Sequence, residues 1–405
     1  AKLANEARSV RGDSPLYSDI EMDLIKYQLD PDLYPDVNWQ EELLNKNSLT
    51  QTYFINARGG GRLARYYLSM GMTNESAAYK QDENSKYSAK VGYRTVNYRT
   101  NLDINLTKST ALYFGADGFI STKSEPGNND TDALWATQRN LTPITIPTIY
   151  STGHLPAYGV DNAYSPYVML NNTGMTNIRH YRGKATLELK QDLSMLLKGL
   201  KIRAQGAYDT ETNLKEIRSI RPEMYYASTR KYTGELGIVR RVDAEPAKYT
   251  HEDEQYYKIH FETTATYETT VAKEHRLSAL LYYYMSSEQR MNKDIDAKDE
   301  TLRSMYAIPV RYQGLSGRVT YGFRDTYFMD LNFGYTGSEN FQSGHRFGFF
   351  PSVAVGWIPT QYKFMQRGLP WLNFLKIRAS YGTVGNDRLT DERFPYLTLM
   401  VSGDG

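Results

Sequence analysis

The sequence predicts an all-β fold, a transmembrane antiparallel β-barrel with long extracellular loops at one end and short periplasmic turns at the other. Three observations support this prediction. Apolar and polar residues alternate with period two in many segments, the connectors between these segments alternate between short and long, and 35 tyrosines occur at a mean hydropathy of −0.60. In an outer-membrane barrel every second side chain faces lipid, and aromatic residues collect at both edges of the lipid band.

The segment 327–335 shows the alternation most clearly. One of its faces is mostly polar and small, and the other is apolar, carrying Tyr327, Met329, Leu331, Phe333 and Tyr335. Nine residues at about 3.3 Å each span about 30 Å, which at a tilt of about 45° crosses most of a roughly 25 Å apolar band. The same alternation predicts twelve strands, near residues 52–58, 62–73, 91–106, 110–122, 181–194, 199–210, 256–270, 276–288, 312–322, 326–337, 348–358 and 372–382.

The connectors between the predicted strands fall into two length classes. The short ones carry residues typical of tight hairpins and are 59–61, 108–109, 195–198, 271–275 and 323–325. The long ones are 74–90, 123–180, 211–255, 289–311 and 338–347. A barrel in the outer membrane requires this alternation, whereas a soluble sandwich does not. Residues 359–371 depart from it, because a longer and partly helical connector occurs where a short turn is due.

Composition excludes several classes of function. Cysteine is absent, which removes disulfides, thiolate catalysis and most structural zinc sites. The longest apolar run, Ala279 to Met285, is about seven residues long, so the chain would cross a membrane only as strands. The net charge of +2 gives no support for nucleic acid as a partner. No combination of Ser, His and Asp marks a nucleophilic site, and we expect no enzyme.

Two parts of the chain differ in pattern. Residues 1–50 contain Pro15, Pro31 and Pro35 and the stretch SDIEMDLIKYQLD, which predicts one short helix and an extended lead-in rather than a domain. Residues 51–405 contain all the predicted strands. The first residues, AKLANEARSVRGD, lack the apolar core of a secretory signal, so a secreted precursor would begin upstream of Ala1.

Several separated stretches of the sequence resemble the SusC/RagA-like family of TonB-dependent outer-membrane transporters of the Bacteroidetes. Three of them, RVTYGFRDTYFMDLNFGYTGSENF, FGFFPSVAVGWIP and FLKIRASYGTVGND, lie in the family's order and spacing within residues 317–387. Near the N-terminus, LANEAR, DPDLYPDVNWQEELL and INARGGGRLARYYLSMGM resemble the start of the family's barrel just after the plug domain. Together these stretches span nearly all of the 405 residues.

The resemblance implies a 22-stranded barrel, of which about 12–13 strands lie in this chain. Residues 1–50 would then lead from plug to barrel, and residues 51–405 would be part of the barrel. The implied partners are a SusD-like surface lipoprotein, the TonB–ExbB–ExbD complex acting through a missing N-terminal part, outer-membrane lipid, and an oligosaccharide or peptide substrate. The chain shows no signal peptide, TonB box or recognisable plug, and it stops before the family's final strands, so we expect the energy-coupling residues outside it.

The long connectors contain aromatic residues that are candidates for binding a ligand by stacking or for packing against a partner. They are Trp135, Tyr150, Tyr158, Tyr164, Tyr167, Tyr225, Tyr226 and Tyr232. Such rings bury large areas at low cost in conformational entropy. The alternative is that they pack the loops on themselves or join the outer aromatic girdle.

Charged residues at alternate strand positions have a simpler interpretation. They are expected to solvate the interior of the barrel or to hold the plug, and they include Lys184, Glu188, Lys190, Lys201, Arg203, Lys376 and Arg378. The six histidines show no metal-binding spacing, and we expect no cofactor. Only residues 251–254, HEDE, place a histidine beside carboxylates; they could hold calcium, but a solvated loop is the more ordinary reading.

Three classes of function therefore stay open at the level of sequence. The leading hypothesis is active, TonB-energised uptake of a bulky nutrient across the bacterial outer membrane, as the SusC-like barrel of a SusCD-type complex. A surface glycan-binding or adhesion β-protein without transport is the second. A passive porin, which shares the barrel but lacks a plug and a TonB box, is the third.

Overall fold

Twelve antiparallel strands form one sheet, and a two-stranded hairpin lies apart from it. The structure is a computed structural model that describes residues 1–82, 85, 89–127, 131–159, 163–291, 308–387, 394 and 396. The strands are β1 (Thr50–Gly60), β2 (Ala64–Ser76), β3 (Gly92–Asn105), β4 (Thr110–Pro126), β5 (Gly174–Asp192), β6 (Leu200–Arg221), β7 (Met224–Arg230), β8 (Leu236–Val242), β9 (Glu245–Val271), β10 (His275–Met291), β11 (Val310–Phe323), β12 (Tyr327–Ser338), β13 (Phe347–Trp357) and β14 (Ile377–Gly382).

The helices are short and lie outside the sheet. They are α1 (Lys2–Val10), α2 (Asp19–Tyr27), α3 (Trp39–Leu43), α4 (Thr131–Asn140) and α5 (Pro166–Asn172), followed by a 3-10 turn at Pro359–Gln361 and a helix at Lys363–Gly368. The last two confirm that the connector after β13 is partly helical. Among the described residues, no helix has the length and apolar character needed to cross a membrane.

The strands pair in chain order from β1 to β6, then from β9 to β14, with β6 beside β9. Every pairing in this sheet is antiparallel. All twelve predicted strands are present, which confirms the predicted antiparallel arrangement. No pairing joins β1 to β14 within the described parts of the chain, so the sheet is open along these two strands.

One face of the sheet is apolar across all twelve strands. Leu331 of β12 illustrates the register, because its partners on both sides are apolar and the row continues outward through Tyr267, Ala279, Val319, Leu331, Val353 and Tyr381. In the first half of the sheet a similar row contains Tyr66, Leu102, Phe114 and Leu187. Leu331 and Leu187 are exposed. These side chains form an outward hydrophobic belt, as the predicted alternation requires.

The opposite face is polar. Arg203 of β6 lies across from Lys190 of β5 and Thr264 of β9, and this row continues to Tyr282 and Ser316. Six of the charged residues predicted to point inward lie on this polar face. They are Lys184, Glu188, Lys190, Lys201, Arg203 and Arg378. Lys376 precedes β14 and places its ammonium 5.0 Å from the ring centre of Phe328, which lies on the same face.

The prediction that residues 211–255 form one connector was wrong in its extent. Strand β6 continues to Arg221 and β9 begins at Glu245, and the connector between them contains the β7–β8 hairpin. The stretch 251–254, predicted as a solvated loop, is part of β9, so His251 and Asp253 point to one face while Glu252 and Glu254 point to the other. A strand splits these four side chains between two faces and does not gather them around one cation.

The N-terminal segment also differs from its prediction. It contains three helices rather than one, because α1 and α3 form in addition to the predicted α2. Helix α2 begins at a capping box in which Ser18 accepts from the Glu21 N–H and the Glu21 carboxylate accepts from the Ser18 N–H. Helix α3 begins at Asn38, whose side chain accepts from the Glu41 N–H.

Candidate functional site

The described parts of the long connectors lie at one end of the sheet, and the N-terminal segment lies with them. The Lys80 N–H donates to the Leu43 carbonyl at 2.7 Å, and the Asn45 N–H donates to the Ala78 carbonyl at 2.7 Å. Strand β1 therefore begins at the long-loop end and runs to the short turn after Gly60. Gly60 has φ of +139°, and a Cβ there would approach the Ala64 carbonyl oxygen to 2.3 Å, so this turn requires glycine.

A loop core holds three stretches of chain together at the long-loop end. It consists of Trp39, Leu43, Tyr79, Ala89, Leu134, Leu141, Ile146, Met169 and Leu170. Residues from the N-terminal segment, from the β2–β3 connector and from the β4–β5 connector thus share one buried cluster. This packing fixes the loops relative to one another, because buried apolar side chains tolerate little displacement.

The β7–β8 hairpin is attached to the loop core through two smaller clusters. Met224 and Val242 pack with Ala157 and Val168. Ala227 and Leu236 pack with Tyr150, which is 3% exposed. The hairpin also adds a parallel bridge, in which the Tyr225 N–H donates to the Leu155 carbonyl and the Ala157 N–H donates to the Tyr225 carbonyl, both at 2.8 Å.

An ionic clasp links the hairpin to the N-terminal segment. Arg230 donates from Nε and Nη2 to the two oxygens of Asp30, both at 2.7 Å, and from Nη2 to Asp32 at 3.0 Å. Asp32 is buried, and it also accepts from the Ser151 N–H at 2.7 Å and the Ser151 hydroxyl at 2.6 Å. The hydrogen bond from Arg230 lowers the pKa of Asp30, and the hydrogen bond to Asp30 raises the pKa of Arg230. Both groups are therefore held in their charged forms.

Four of the predicted ligand aromatics pack within the loops. Tyr150 is buried, and Tyr158, Tyr164 and Tyr167 pack at the edge of the loop core. Burial raises the pKa of all four phenols. Their contribution to ligand binding stays a prediction, and the contacts they make in the structure are contacts between loops.

The other four have accessible or partly accessible rings. Trp135, Tyr226 and Tyr232 are exposed, whereas Tyr225 is half-buried with its ring 4.3 Å from the ring of His154. Arg241 lies over the Tyr226 ring at 5.5 Å. The eight residues are thus brought to the same end of the sheet but not into one site.

The Tyr150 hydroxyl accepts a hydrogen bond from the Ala227 N–H at 3.2 Å. Replacing Tyr150 by phenylalanine keeps the ring in its cluster but leaves this buried N–H without that acceptor. We expect the change to lower the local stability of the hairpin by about 1–3 kcal/mol. Native-state hydrogen exchange at Ala227 measures it, with Tyr232→Phe as the exposed control, and equal exchange in both variants would contradict the role assigned to the hydroxyl.

A chain of ionic contacts crosses the polar face from β5 to β10. Glu188 contacts Lys190 at 2.6 Å and Arg203 at 3.3 Å, and Arg203 also pairs with Glu262. Glu262 accepts from the Tyr282 hydroxyl at 3.1 Å and lies 3.2 Å from His260 Nε2. The Glu188 side chain is only 8% exposed, so its two cationic partners supply the interactions that its buried carboxylate requires.

A cavity of about 1050 Å³ lies on the polar face at the short-turn end. Its wall includes Arg62, Lys108, Lys190, Lys201 and Arg203. This arrangement suits a wet interior, because ammonium and guanidinium groups stay hydrated there while the belt on the other face meets lipid. No cluster of three or more metal-binding side chains occurs in the described part of the chain.

Comparisons with curated proteins identify relatives along almost the whole chain. TonB-dependent receptor P26 of Formosa agariphila is 22% identical over 94% of this chain and 37% of its own length. TonB-dependent receptor SusC of Bacteroides thetaiotaomicron is 20% identical over 90% of this chain and 36% of its own length. TonB-dependent receptor P39 of Formosa agariphila is 32% identical over 96 residues, which are 24% of this chain and 8% of the relative. No family model matches the chain.

Solved structures show the same fold. The RagAB peptide importer in its open-open state superposes with a TM-score of 0.54, at 18% identity, over 92% of this chain and 41% of the matched chain. Its closed-closed state gives a TM-score of 0.53 over 87% of this chain. The polar face therefore corresponds to the inside of a barrel and the apolar belt to its outside.

The chain spans less than two fifths of the length of the two curated relatives that it matches almost throughout. These relatives are receptors by name, and their sequence similarity covers 94% and 90% of this chain. The apolar belt places the twelve strands in the outer membrane. Over almost its whole length the chain is therefore similar to SusC and other TonB-dependent receptors of the bacterial outer membrane, and it shares the fold of the RagAB importer barrel.

Proposed function

We propose that the protein takes up a bulky nutrient, an oligosaccharide or a peptide, through the interior of this barrel with energy supplied by TonB. The observation that carries the proposal is the division of the sheet into an apolar outer belt and a wet, charged inner wall. Such a wall passes hydrated cargo, whereas an apolar interior would reject it. The proposed activity is gated transport, and no covalent bond of the cargo is broken. The similar proteins are named as a receptor and an importer.

The partners belong to the same proposal. A SusD-like lipoprotein would sit on the long-loop end, where the loop core and the hairpin present a fixed surface. The TonB–ExbB–ExbD complex would act from the short-turn side on parts of the receptor beyond the 405 residues. In this arrangement residues 1–50 form a lead-in between plug and barrel, and residues 51–405 supply barrel strands.

The ligand would first meet the exposed aromatics at the long-loop end, including Trp135, Tyr226 and Tyr232. A large ring at the surface gives a ligand apolar area to bury at little entropic cost. The inner wall then offers alternating charges rather than one sign of charge, since Glu188 and Glu262 alternate with Lys190 and Arg203. This pattern favours passage of neutral or mixed-charge cargo.

Uptake by living cells tests the proposal. A strain that lacks the gene is expected to lose accumulation of the nutrient, and the full-length gene is expected to restore it. A protonophore or deletion of TonB should abolish the restored uptake, because the plug must be moved by an external energy source. Flux that persists in de-energised cells would identify a passive porin. Surface binding without any uptake would identify an adhesion protein.

A further inference from the structure

A groove lies on the apolar face of the sheet, near the long-loop ends of strands β9 to β13. Its volume is about 510 Å³, within the usual range of small-molecule sites. Its apolar wall consists of Ile259, Phe261, Met285 and Phe347. We call it the belt groove, because it is part of the hydrophobic belt.

The register of the strands assigns the belt groove to the outer face. Most of its lower wall is one row across five strands, which runs through Phe261, Met285, Gln313, Gly337 and Phe347. Gly337 and Leu331 are an even number of positions apart on β12, so this row and the belt share one face. The groove therefore opens toward the surroundings of the barrel and faces away from the wet interior.

The belt groove lies at the edge of the lipid band nearest the long loops. At the opposite edge Tyr327 pairs with Trp357, and aromatic residues of this kind mark a membrane boundary. Gly337 is ten residues beyond Tyr327 on β12, which at about 3.3 Å per residue and a tilt of about 45° is about 23 Å along the membrane normal. The apolar band of a barrel is roughly 25 Å tall. Arg311 lies two residues beyond Gln313, the partner of Gly337, and is therefore at the level of the lipid headgroups.

Close packing of an aromatic ring on a glycine fixes one wall of the groove. A Cβ on Gly337 would lie 2.5 Å from Cε1 of Phe347, so only glycine leaves room for this ring. The Tyr335 ring stacks on the Phe347 ring with centres 5.1 Å apart and an interplanar angle of 18°. The wall is therefore formed before a ligand arrives, and such preorganisation lowers the entropic cost of binding.

Two arginines give the headgroup end of the groove a positive charge. Arg311 is exposed, and it forms no ion pair with any carboxylate that the structure describes. Arg346 donates from Nε to the Phe341 carbonyl at 3.4 Å, and its terminal nitrogens also form no ion pair within the described residues. Glu339 is the one carboxylate among the described residues of the wall, so two guanidiniums and one carboxylate leave a net charge of +1. This charge favours an anionic ligand, and a guanidinium binds phosphate through paired hydrogen bonds.

We propose that the belt groove binds a lipid of the outer leaflet whose headgroup carries phosphate. The phosphate accepts hydrogen bonds from Arg311 and Arg346, and an acyl chain lies against the apolar wall. Basic pockets beside the hydrocarbon of a membrane recognise anionic headgroups in this way. The site lies outside the barrel, so the proposal goes beyond the uptake function and does not depend on the cargo.

A second protein fits the belt groove less well than a lipid. A stable protein interface buries about 800 Å² on each partner and extends well beyond a groove of this volume. A protein partner would also need a carboxylate at the headgroup level to match the net positive charge. A phosphate-bearing lipid brings the apolar chain and the anion together, at the depths where the wall is apolar and where it is basic.

The test uses the full-length receptor purified in detergent, and native mass spectrometry counts the lipids that stay bound. The probes are lipid A, whose sugar headgroup carries phosphate, and the same lipid A after enzymatic removal of its phosphate. We expect lipid A to bind, and the dephosphorylated form to bind at least about tenfold more weakly because it lacks the charged acceptor. Inorganic phosphate at millimolar concentration should not displace lipid A, because it has no acyl chain to bury.

Three substitutions probe the groove itself. Arg311→Gln should weaken lipid A binding by at least about tenfold, because it removes a charged hydrogen bond. Glu339→Gln should strengthen binding about threefold, because it raises the net charge of the wall. Ser287→Trp should weaken binding without any change of charge, because Ser287 lies between Ile259 and Arg311 on the outer face and an indole there fills the groove.

Arg94→Gln is the matched control. Arg94 is also exposed on the apolar face near the long-loop end of its strand, β3, but its neighbours across the two ladders are the polar residues Asn74 and Thr122. It therefore lacks an apolar wall for an acyl chain, and we expect its removal to change lipid A affinity less than twofold. Circular dichroism and heat-dependent migration on gels verify that each variant is folded.

Several results would overturn the proposal. Unchanged lipid A affinity in Arg311→Gln would remove the phosphate contact, and equal binding of the dephosphorylated lipid would remove the need for phosphate. An equal loss in Arg94→Gln would reduce the effect to a general attraction between arginines and anionic lipid. A co-purifying protein that Ser287→Trp releases would assign the groove to a protein partner instead.

Discussion

Replacing Leu331 by arginine is expected to destabilise the barrel by about 2–4 kcal/mol, the cost of a cationic side chain at the centre of the lipid band. Leu331 is exposed on the apolar face, midway between Tyr327 and Tyr335 in the same strand. Its neighbours across the two ladders are Val319 and Val353. Its neighbours on this face along the strand, Met329 and Phe333, are also apolar. Denaturant titration of the full-length receptor in lipid vesicles measures the loss.

Ala354→Arg is the matched control for this substitution. Ala354 lies on the adjacent strand but on the polar face, directly opposite Asp330. An arginine there points into the wet interior, beside an Asp330 carboxylate that already pairs with Arg318. Because the new guanidinium stays hydrated, we expect a change of at most about 1 kcal/mol. If the two variants lose equal stability, or if Ala354→Arg loses more, the assignment of the faces is inverted and the belt does not meet lipid.

Replacing Arg230 by alanine is expected to release the clasp between the hairpin and the N-terminal segment. The change removes the cationic partner of Asp30 and Asp32 and leaves the buried Asp32 carboxylate with only its bonds from Ser151. Breaking a fully buried pair costs about 3–5 kcal/mol. Because the Arg230 side chain is 36% exposed, we expect a smaller loss of local stability, about 2 kcal/mol. Native-state hydrogen exchange at Ser151 and along β7 measures the local loss.

Arg240→Ala tests whether the loss of stability depends on the position of Arg230 or only on removing a positive charge from the hairpin. Arg240 lies on the same hairpin and pairs with Asp243 at 2.9 Å, but both side chains are mostly exposed. Its removal should cost no more than about 1 kcal/mol. Arg230→Lys should give an intermediate loss, because an ammonium cannot reproduce the paired hydrogen bonds to Asp30. Equal exchange in Arg230→Ala and the unsubstituted receptor would contradict the clasp.

The clasp also has a defined pH dependence. The hydrogen bond from Arg230 lowers the pKa of Asp30 below its ordinary value of 3.8. The stabilisation is therefore fully present above that value and is lost as pH falls through the lowered pKa. Hydrogen exchange corrected for its intrinsic pH dependence should show constant protection from neutral pH to about pH 5, and loss only below about pH 4. In Arg230→Ala this acid-dependent loss should be much smaller.

The twelve strands of the sheet could be predicted because lipid imposes a strict rule on one face. In segment 327–335 five of the six aromatic or large apolar residues fall on one face and only Phe328 falls on the other, so the rule leaves a visible period in the sequence. The upper parts of β6 and β9 obey no such rule, because water meets both of their faces. Lys215 and Glu216 lie on opposite faces of β6 and are both charged, so the period disappears where the strand leaves the membrane.

The candidate site was only partly predictable. Trp135 could be singled out as an aromatic residue in a long loop. The burial of Tyr150 could not, because it depends on how the hairpin packs against the loops. Arg230 and Asp30 are 200 positions apart, and no local pattern links them. The Asp-Pro-Asp sequence at residues 30–32 places two carboxylates close together but does not identify their partner.

The strands differ in length by more than a factor of two, since β9 has 27 residues and β12 has 12. At about 3.3 Å per residue and a tilt of about 45°, β9 rises about 60 Å along the membrane normal and β12 about 28 Å. At the long-loop end the described strands therefore project unequally, far beyond the lipid band at β9 and only slightly beyond it at β12. A large particle that approaches this end of the sheet would therefore meet the extension of β9 before it meets β12.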